Sequence, residues 1–164
     1  MIRVTRTSLV IMFVLLGTAL AAQKNPVAKN PDPPRPNFSG RWVTKAAAKN
    51  AATELVIAQD EQSLTHQRPD GSHKAVYQLD GVERRMALPS GGVSGSVTVT
   101  SMASARWDGN RIVIVTKLSY SNGMRTQDKD IWSIDAQGRL VIDTTETGPG
   151  GPSQSTRTVF TRKP

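Results

Sequence analysis

The chain has 164 residues, of which 37% are hydrophobic and 5% aromatic, and its formal net charge is +8. It contains no cysteine, which excludes a disulfide framework, a thiolate metal cluster and a cysteine nucleophile. The length suits a single domain, and the basic balance makes nucleic acid, anionic lipid or an acidic polymer the first partners to consider.

The first 21 residues have the pattern of a secretory signal peptide. Two arginines precede an uncharged apolar run from Ser8 to Leu20, and Ala19 and Ala21 supply the small residues that flank a cleavage site. The run is shorter than the roughly 20 residues that a helix needs to cross a bilayer, so cleavage after Ala21 is favoured over an uncleaved anchor. We therefore expect export to the periplasm or beyond, with no stable transmembrane segment after processing. Removing residues 1–21, which hold two of the 21 basic and none of the 13 acidic residues, leaves 143 residues with a net charge of +6.

Residues 22–37 form a proline-rich segment, with five prolines between positions 23 and 37. Proline fixes its own φ and lacks an amide hydrogen, so this stretch cannot join a sheet and is typical of an extended, disordered linker. A spacer is favoured over a proline-rich recognition motif. The globular domain is predicted to begin at Phe38 and to occupy residues 38–164.

The domain sequence alternates between short β-type runs and tight turns. Five glycine-containing pairs mark turns, a strong short-range signal for hairpins: Asp70-Gly71, Asp80-Gly81, Asp108-Gly109, Asn122-Gly123 and Gln137-Gly138. The predicted strands are Gly40–Thr44, Thr53–Gln59, Ser63–Arg68, His73–Leu79, Val82–Ala87, Val97–Trp107, Arg111–Tyr120, Met124–Ile134, Arg139–Thr145 and Ser155–Arg162. One short helix is predicted at residues 45–52. Successive hairpins without room for crossovers predict an all-β antiparallel meander, closed or nearly closed into a barrel of eight to ten strands.

The turn types also predict which side chains face the barrel interior. A two-residue turn at Asp108-Gly109 and three-residue turns ending at Gly123 and Gly138 place most large hydrophobic residues on one face and most cations on the other. Six inward residues are predicted to contact a ligand, because small residues leave space there and aromatic and acidic residues border it: Ala103, Ala105, Trp107, Tyr120, Asp130 and Trp132. The alternative is that the aromatic side chains fill this space as core. Asp128 and Asp130 are expected to be solvated at the barrel mouth, or to meet a cationic or polyhydroxylated ligand.

An ordered set of motifs, which begins at the first predicted strand, resembles a known family. Residues 37–42 read NFSGRW, followed by YQLDG at 77–81, ARWDGN at 105–110 and IWSIDAQG at 131–138. This ordered set is similar to small exported lipocalin-like bacterial proteins, and the G-x-W tripeptide resembles the first strand of lipocalins. The resemblance implies a ligand-binding barrel in which Trp42 and Arg162 pack together at the closed end in a structural role. The other lipocalin motifs and the helix before the last strand have no counterpart in the chain.

Sequence signals for catalysis are sparse. The only histidines flank one turn, and a three-residue turn would pair His66 with Lys74 and set His66 and His73 on opposite faces, which disfavours joint metal ligation. No nucleophile elbow, phosphate-binding loop or dinucleotide fingerprint occurs. Asp128 and Asp130 lie on one strand face and form a carboxylate pair of the kind used in glycoside chemistry, but no aromatic cleft accompanies them. No catalytic residue, metal or cofactor is therefore predicted.

Two binding functions remain as expectations. The first is an exported, non-enzymatic protein that holds a small, mainly apolar molecule in the barrel. The alternative is a cell-envelope module that binds anionic glycan or lipid through basic outer strand faces. Nucleic-acid binding is not expected, because such barrels present aromatic residues on an exposed basic face, whereas the predicted register sends them inward. No oligomeric state is predicted.

Overall fold

The computed structural model describes residues 34–44, 53–87 and 98–164. Those residues form ten β-strands, and no helix lies among them. The strands are β1 Gly40–Val43, β2 Glu54–Gln59, β3 Ser63–Gln67, β4 Ala75–Gln78, β5 Arg84–Met86, β6 Val99–Asp108, β7 Arg111–Tyr120, β8 Arg125–Ile134, β9 Leu140–Thr147 and β10 Gln154–Lys163. The predicted helix at 45–52 and the predicted signal peptide lie outside the described residues.

All ten strands belong to one antiparallel meander. Their order in the sheet is β4-β3-β2-β1-β10-β9-β8-β7-β6-β5, so every hairpin pairs neighbours in sequence and β1 pairs with β10. The two edges meet where Asp80, just after β4, forms an isolated bridge with Arg106 of β6. There the Gly81 amide donates a 2.8 Å hydrogen bond to the Ala105 carbonyl. The predicted all-β, nearly closed barrel is therefore confirmed.

The turn chemistry fixes the register of the long hairpins. The two-residue turn between β6 and β7 consists of Gly109 and Asn110, one residue later than the predicted Asp108-Gly109 turn, because Asp108 pairs with Arg111. This shift moves the pairing by two residues, so that Trp107 pairs with Ile112, and it leaves the inward and outward faces as predicted. The turns ending at Gly123 and Gly138 have glycine at φ 86° and 72°, the left-handed conformation that such turns require. The predicted faces of β6 to β9 are confirmed by this pairing.

The β3–β4 hairpin departs from the predicted register. The three-residue turn ending at Gly71 forms as expected, because the Arg68 amide donates to the Ser72 carbonyl and the Gly71 amide to the Arg68 carbonyl, both at 2.9 Å. His66 nevertheless pairs with Ala75 and not with Lys74, since His73, just after the turn, has a left-handed backbone with φ 55° and adds one residue on the β4 side. His66 therefore faces inward from β3, while His73 lies exposed beside the turn.

The two ends of the barrel differ in burial. At the closed end, which carries the turns at 60–62, 108–111 and 135–139, Phe38, Trp42, Ile112 and Leu140 are completely buried. At the open end, which carries the turns at 69–74, 121–124 and 148–153, inward residues such as Tyr120, Thr126 and Asp128 are only half-buried. The core thus fills the closed half of the barrel, and polar side chains line the other half.

Candidate functional site

Strand pairing arranges the inward side chains of β6 to β9 in rows across the barrel wall. The middle row consists of Ala105, Ile114, Asp130 and Thr144. The next row towards the open end consists of Ala103, Thr116, Asp128 and Glu146. The row towards the closed end consists of Trp107, Ile112, Trp132 and Ile142. Acidic and hydroxyl side chains therefore lie directly above an apolar floor.

Asp130 is the polar residue nearest this floor. It is part-buried, and the Thr144 hydroxyl donates a 2.6 Å hydrogen bond to its Oδ1. Burial raises the pKa of Asp130 above its ordinary value, an effect that Thr144 and the Trp132 side chain partly offset and that the Glu146 charge increases. Asp130 therefore lies deeper than the solvated mouth position expected from the sequence.

Asp128 occupies the adjacent inward position towards the open end. Its pKa is also raised, first by burial and then by the charges of Glu146 and Asp130. Asp128 and Glu146 are cross-strand partners at one level of the barrel, and Asp130 lies one level deeper. The three carboxylates repel one another when all are ionised.

The opposite wall brings His66 and Tyr77 into the same space. Their rings stack with centroids 5.7 Å apart, and the His66 ring lies 5.5 Å from that of Trp132. Burial lowers the pKa of His66, which favours a neutral imidazole. Burial and the charge of Asp130 raise the pKa of Tyr77 to about 12, although the Thr116 side chain acts in the opposite direction. We call His66, Tyr77, Thr116, Asp130 and Thr144 the inner polar cluster.

Trp132 lies against the inner polar cluster with an unsatisfied donor. The residue is only 3% exposed, and its Nε1 has no hydrogen-bond partner among the described residues. The indole is near enough to Asp130 to influence the pKa of that carboxyl, yet it makes no hydrogen bond to it. A buried donor without an acceptor is unfavourable. A ligand that places an oxygen or nitrogen lone pair at Nε1 would therefore gain a hydrogen bond there.

The six residues predicted to contact a ligand lie in three different regions of the barrel. Asp130 and Trp132 lie at the inner polar cluster, and Ala103 and Ala105 are buried in the same wall, on β6, where Ala103 pairs with Thr116 of the cluster. Trp107 lies instead at the closed end, where its ring centroid is 6.1 Å from that of Phe38. Tyr120 lies at the open rim, eight residues along β7 from Ile112, or roughly 26 Å by the rise of a strand. Trp107 and Tyr120 therefore belong to different regions.

Trp42 and Arg162 lie side by side at the closed end. The Arg162 guanidinium carbon is 4.6 Å from the Trp42 ring centroid, and its Nη1 and Nη2 donate to the carbonyls of Ser39 and Asn37 at 2.9 and 3.3 Å. The Trp42 Nε1 donates a 2.8 Å hydrogen bond to the Phe38 carbonyl. This arrangement ties the segment before β1 to the last strand.

The sequence did not single out His66 and Tyr77 as residues of one site. Each lies on an alternating strand beside a buried leucine, Leu64 before His66 and Leu79 after Tyr77. That alternation indicates that both face inward, but their proximity to β8 depends on closure of the barrel.

The described parts of the chain have neither a metal-binding cluster nor a membrane-spanning helix. Residues 34–44, 53–87 and 98–164 contain no group of three or more histidine, aspartate or glutamate side chains that could hold a metal ion. The same ranges contain no helix long and apolar enough to span a bilayer. The chain matches no protein-family model and no curated protein.

Proposed function

We propose that the protein is an exported, non-enzymatic, lipocalin-like binding protein that holds a small, mainly apolar molecule in the open half of the barrel. The observation that carries the proposal is the buried Trp132 Nε1, which has no hydrogen-bond acceptor in the described part of the chain and belongs to a side chain that lies against the inner polar cluster. Ligand sites are typically concave and mostly apolar, with a few polar groups that orient the ligand. The rows above and below Asp130 supply this combination, with Ile114, Ile112 and Ile142 as apolar wall.

Space for the ligand is proposed to come from Ala103 and the half-buried positions above it. Ala103 pairs with Thr116, so a larger side chain at Ala103 projects across the same level of the barrel as Asp128. Thr126 faces inward nearer the mouth, opposite Leu118. Filling either position removes the proposed site by steric exclusion.

The test uses the uncharged fluorescent probe N-phenyl-1-naphthylamine with the chain expressed from residue 22. We expect its emission to rise on binding, Ala103→Phe and Thr126→Phe to abolish the rise, and Gln127→Phe, on the exposed outer face beside Thr126, to preserve it. Circular dichroism establishes that each variant is folded. No rise with the folded wild-type chain, or an undiminished rise in both filled variants, would overturn the proposal.

A second candidate is the envelope module, which is favoured by a specific feature of β8. Arg125 and Lys129 lie exposed on its outer face, and neither has an ion-pair partner within the described residues, whereas Lys117 beside them pairs with Glu83. This candidate requires vesicle or glycan binding that weakens steeply with added salt and is lost when Lys117, Arg125 and Lys129 are all replaced by alanine. Salt-insensitive binding would exclude it.

A further inference from the structure

The barrel wall separates charge by sign. On β7, β8 and β9 the inward positions carry three carboxylates and no lysine or arginine: Asp128, Asp130 and Glu146. The outward positions of the same strands carry five charged residues, of which four are cations and one is an acid: Arg111, Lys117, Arg125, Lys129 and Asp143. A basic protein thus has an acidic lining on this side of its interior.

The deepest of these carboxylates lacks a compensating charge. The Thr144 hydroxyl donates a hydrogen bond to Asp130 Oδ1, and the Trp132 side chain lies close enough to lower the pKa of the carboxyl without meeting the geometry of a hydrogen bond. A part-buried carboxylate is stabilised by an opposite charge or by several donors. No lysine or arginine within residues 34–44, 53–87 and 98–164 pairs with Asp130, so Oδ2 is free to accept a hydrogen bond from a cationic ligand.

A second and independent group points to the same place. The Trp132 Nε1 is buried and without an acceptor, on the same strand face as Asp130 and one inward position deeper. A ligand that satisfies both groups carries a positively charged donor for Asp130 and an oxygen acceptor for Nε1. The rings of His66, Tyr77 and Trp132, with centroids 5.5 to 5.7 Å apart along this series, favour an aromatic body and add cation–π attraction to the charged group.

We propose that the ligand of this barrel is a protonated aromatic amine bearing an oxygen acceptor, with its ammonium group on Asp130 and its oxygen on the Trp132 indole. This inference rests on the proposed function, since it names the chemical class bound at the same site. Asp128 and Glu146, nearer the mouth, attract the cation as it enters.

The experiment compares four probes of similar size by isothermal titration calorimetry: 2-amino-1-phenylethanol, 2-phenylethylamine, 2-phenylethanol and 3-phenylpropionate. We expect the amino alcohol to bind most tightly, the simple amine next, the neutral alcohol at least tenfold more weakly than the amino alcohol, and the carboxylate not measurably. Asp130→Asn should weaken the amino alcohol at least tenfold and leave the neutral alcohol unchanged. Asp143→Asn, which removes an outward carboxylate of β9, is the matched control and should change neither affinity.

Nuclear magnetic resonance gives a second measurement, because the Trp132 indole N–H has its own cross-peak. That peak should move on binding of the amino alcohol and the neutral alcohol, which carry the oxygen, and less with the simple amine. Equal affinities for amine, alcohol and acid, or an Asp130→Asn variant with unaltered amine affinity, would overturn the amine assignment while the uncharged naphthylamine probe still reports a binding site. Failure of that naphthylamine probe as well would overturn the proposed function itself.

Discussion

Arg162 is expected to stabilise the closed end by about 2 kcal/mol. Its guanidinium covers the Trp42 ring at 4.6 Å, which contributes about 0.5–1 kcal/mol for a solvent-accessible cation–π contact. Its two hydrogen bonds to the carbonyls of Ser39 and Asn37 contribute about 0.5–1 kcal/mol each, towards the lower end of the usual range because the side chain is exposed. Arg162→Met keeps much of the aliphatic stem and removes all three interactions. Arg162→Lys keeps the charge but not the forked donor geometry, so we expect it to cost about half as much.

The assay is urea denaturation followed by tryptophan fluorescence, with thermal unfolding as a second measurement. For a domain of this size, 2 kcal/mol corresponds to a decrease in Tm of roughly 6–10 °C. Arg157→Met is the control, because Arg157 lies on the same strand and makes only an exposed ion pair with Asp143 at 3.4 Å, worth less than about 1 kcal/mol. A double-mutant cycle with Trp42→Leu, which removes the aromatic ring, measures the coupling between the ring and Arg162. If Arg162→Met and Arg157→Met lower the stability equally, the closed-end argument is refuted.

Three further predictions concern the backbone and the interior. Gly40→Ala should lower the free energy of unfolding by about 1–3 kcal/mol, measured in urea, because φ is 138° and a Cβ would lie 3.0 Å from Nη1 of Arg162; unchanged stability would contradict this. Because burial raises the pKa of Asp130, the folded state binds a proton at this carboxyl more tightly than the unfolded state does. Protonation of Asp130 therefore stabilises the folded state increasingly as the pH falls. The free energy of unfolding of Asp130→Asn should therefore exceed that of the wild type at neutral pH, and this difference should shrink as the pH falls towards 3.8, the ordinary pKa of an aspartate. A difference in stability that widens in acid would show that burial does not raise the pKa of Asp130. Gly81→Pro should accelerate amide hydrogen exchange along β6, because proline removes the donor to the Ala105 carbonyl and cannot adopt a φ of 77°. Unaltered exchange would show that the contact between the two sheet edges does not depend on this hydrogen bond.

The fold was largely predictable because its long hairpins are governed by local turn chemistry. The turn between β6 and β7 lies at Gly109-Asn110, one residue after the predicted Asp108-Gly109, but this shift moves the pairing by two residues and leaves the inward face of both strands unchanged. The β3–β4 register was wrong because His73, a residue with a Cβ, takes a left-handed conformation that nothing in the neighbouring sequence requires. The predicted strand from His73 to Leu79 consequently begins two residues later, at Ala75.

The site was only partly predictable. Asp130 and Trp132 lie on one strand two residues apart, so alternation alone places them together. His66 and Tyr77 reach them from the opposite wall, and this proximity depends on barrel curvature, which local pattern does not encode. Trp107 and Tyr120 lie on the same inward face as Asp130 but at opposite ends of the barrel. Alternation predicts the face of a residue, whereas its level along the barrel axis determines whether it can contact the same ligand.

The pairing of β1 with β10 has a consequence for how the molecule can be held. Arg41 lies opposite Lys163, so the first strand starts and the last strand finishes beside each other at the closed end, on the side of the barrel away from the mouth. A resin or fusion partner attached just before β1 or just after β10 therefore holds the molecule at its closed end. The open end of the barrel would then face away from the point of attachment.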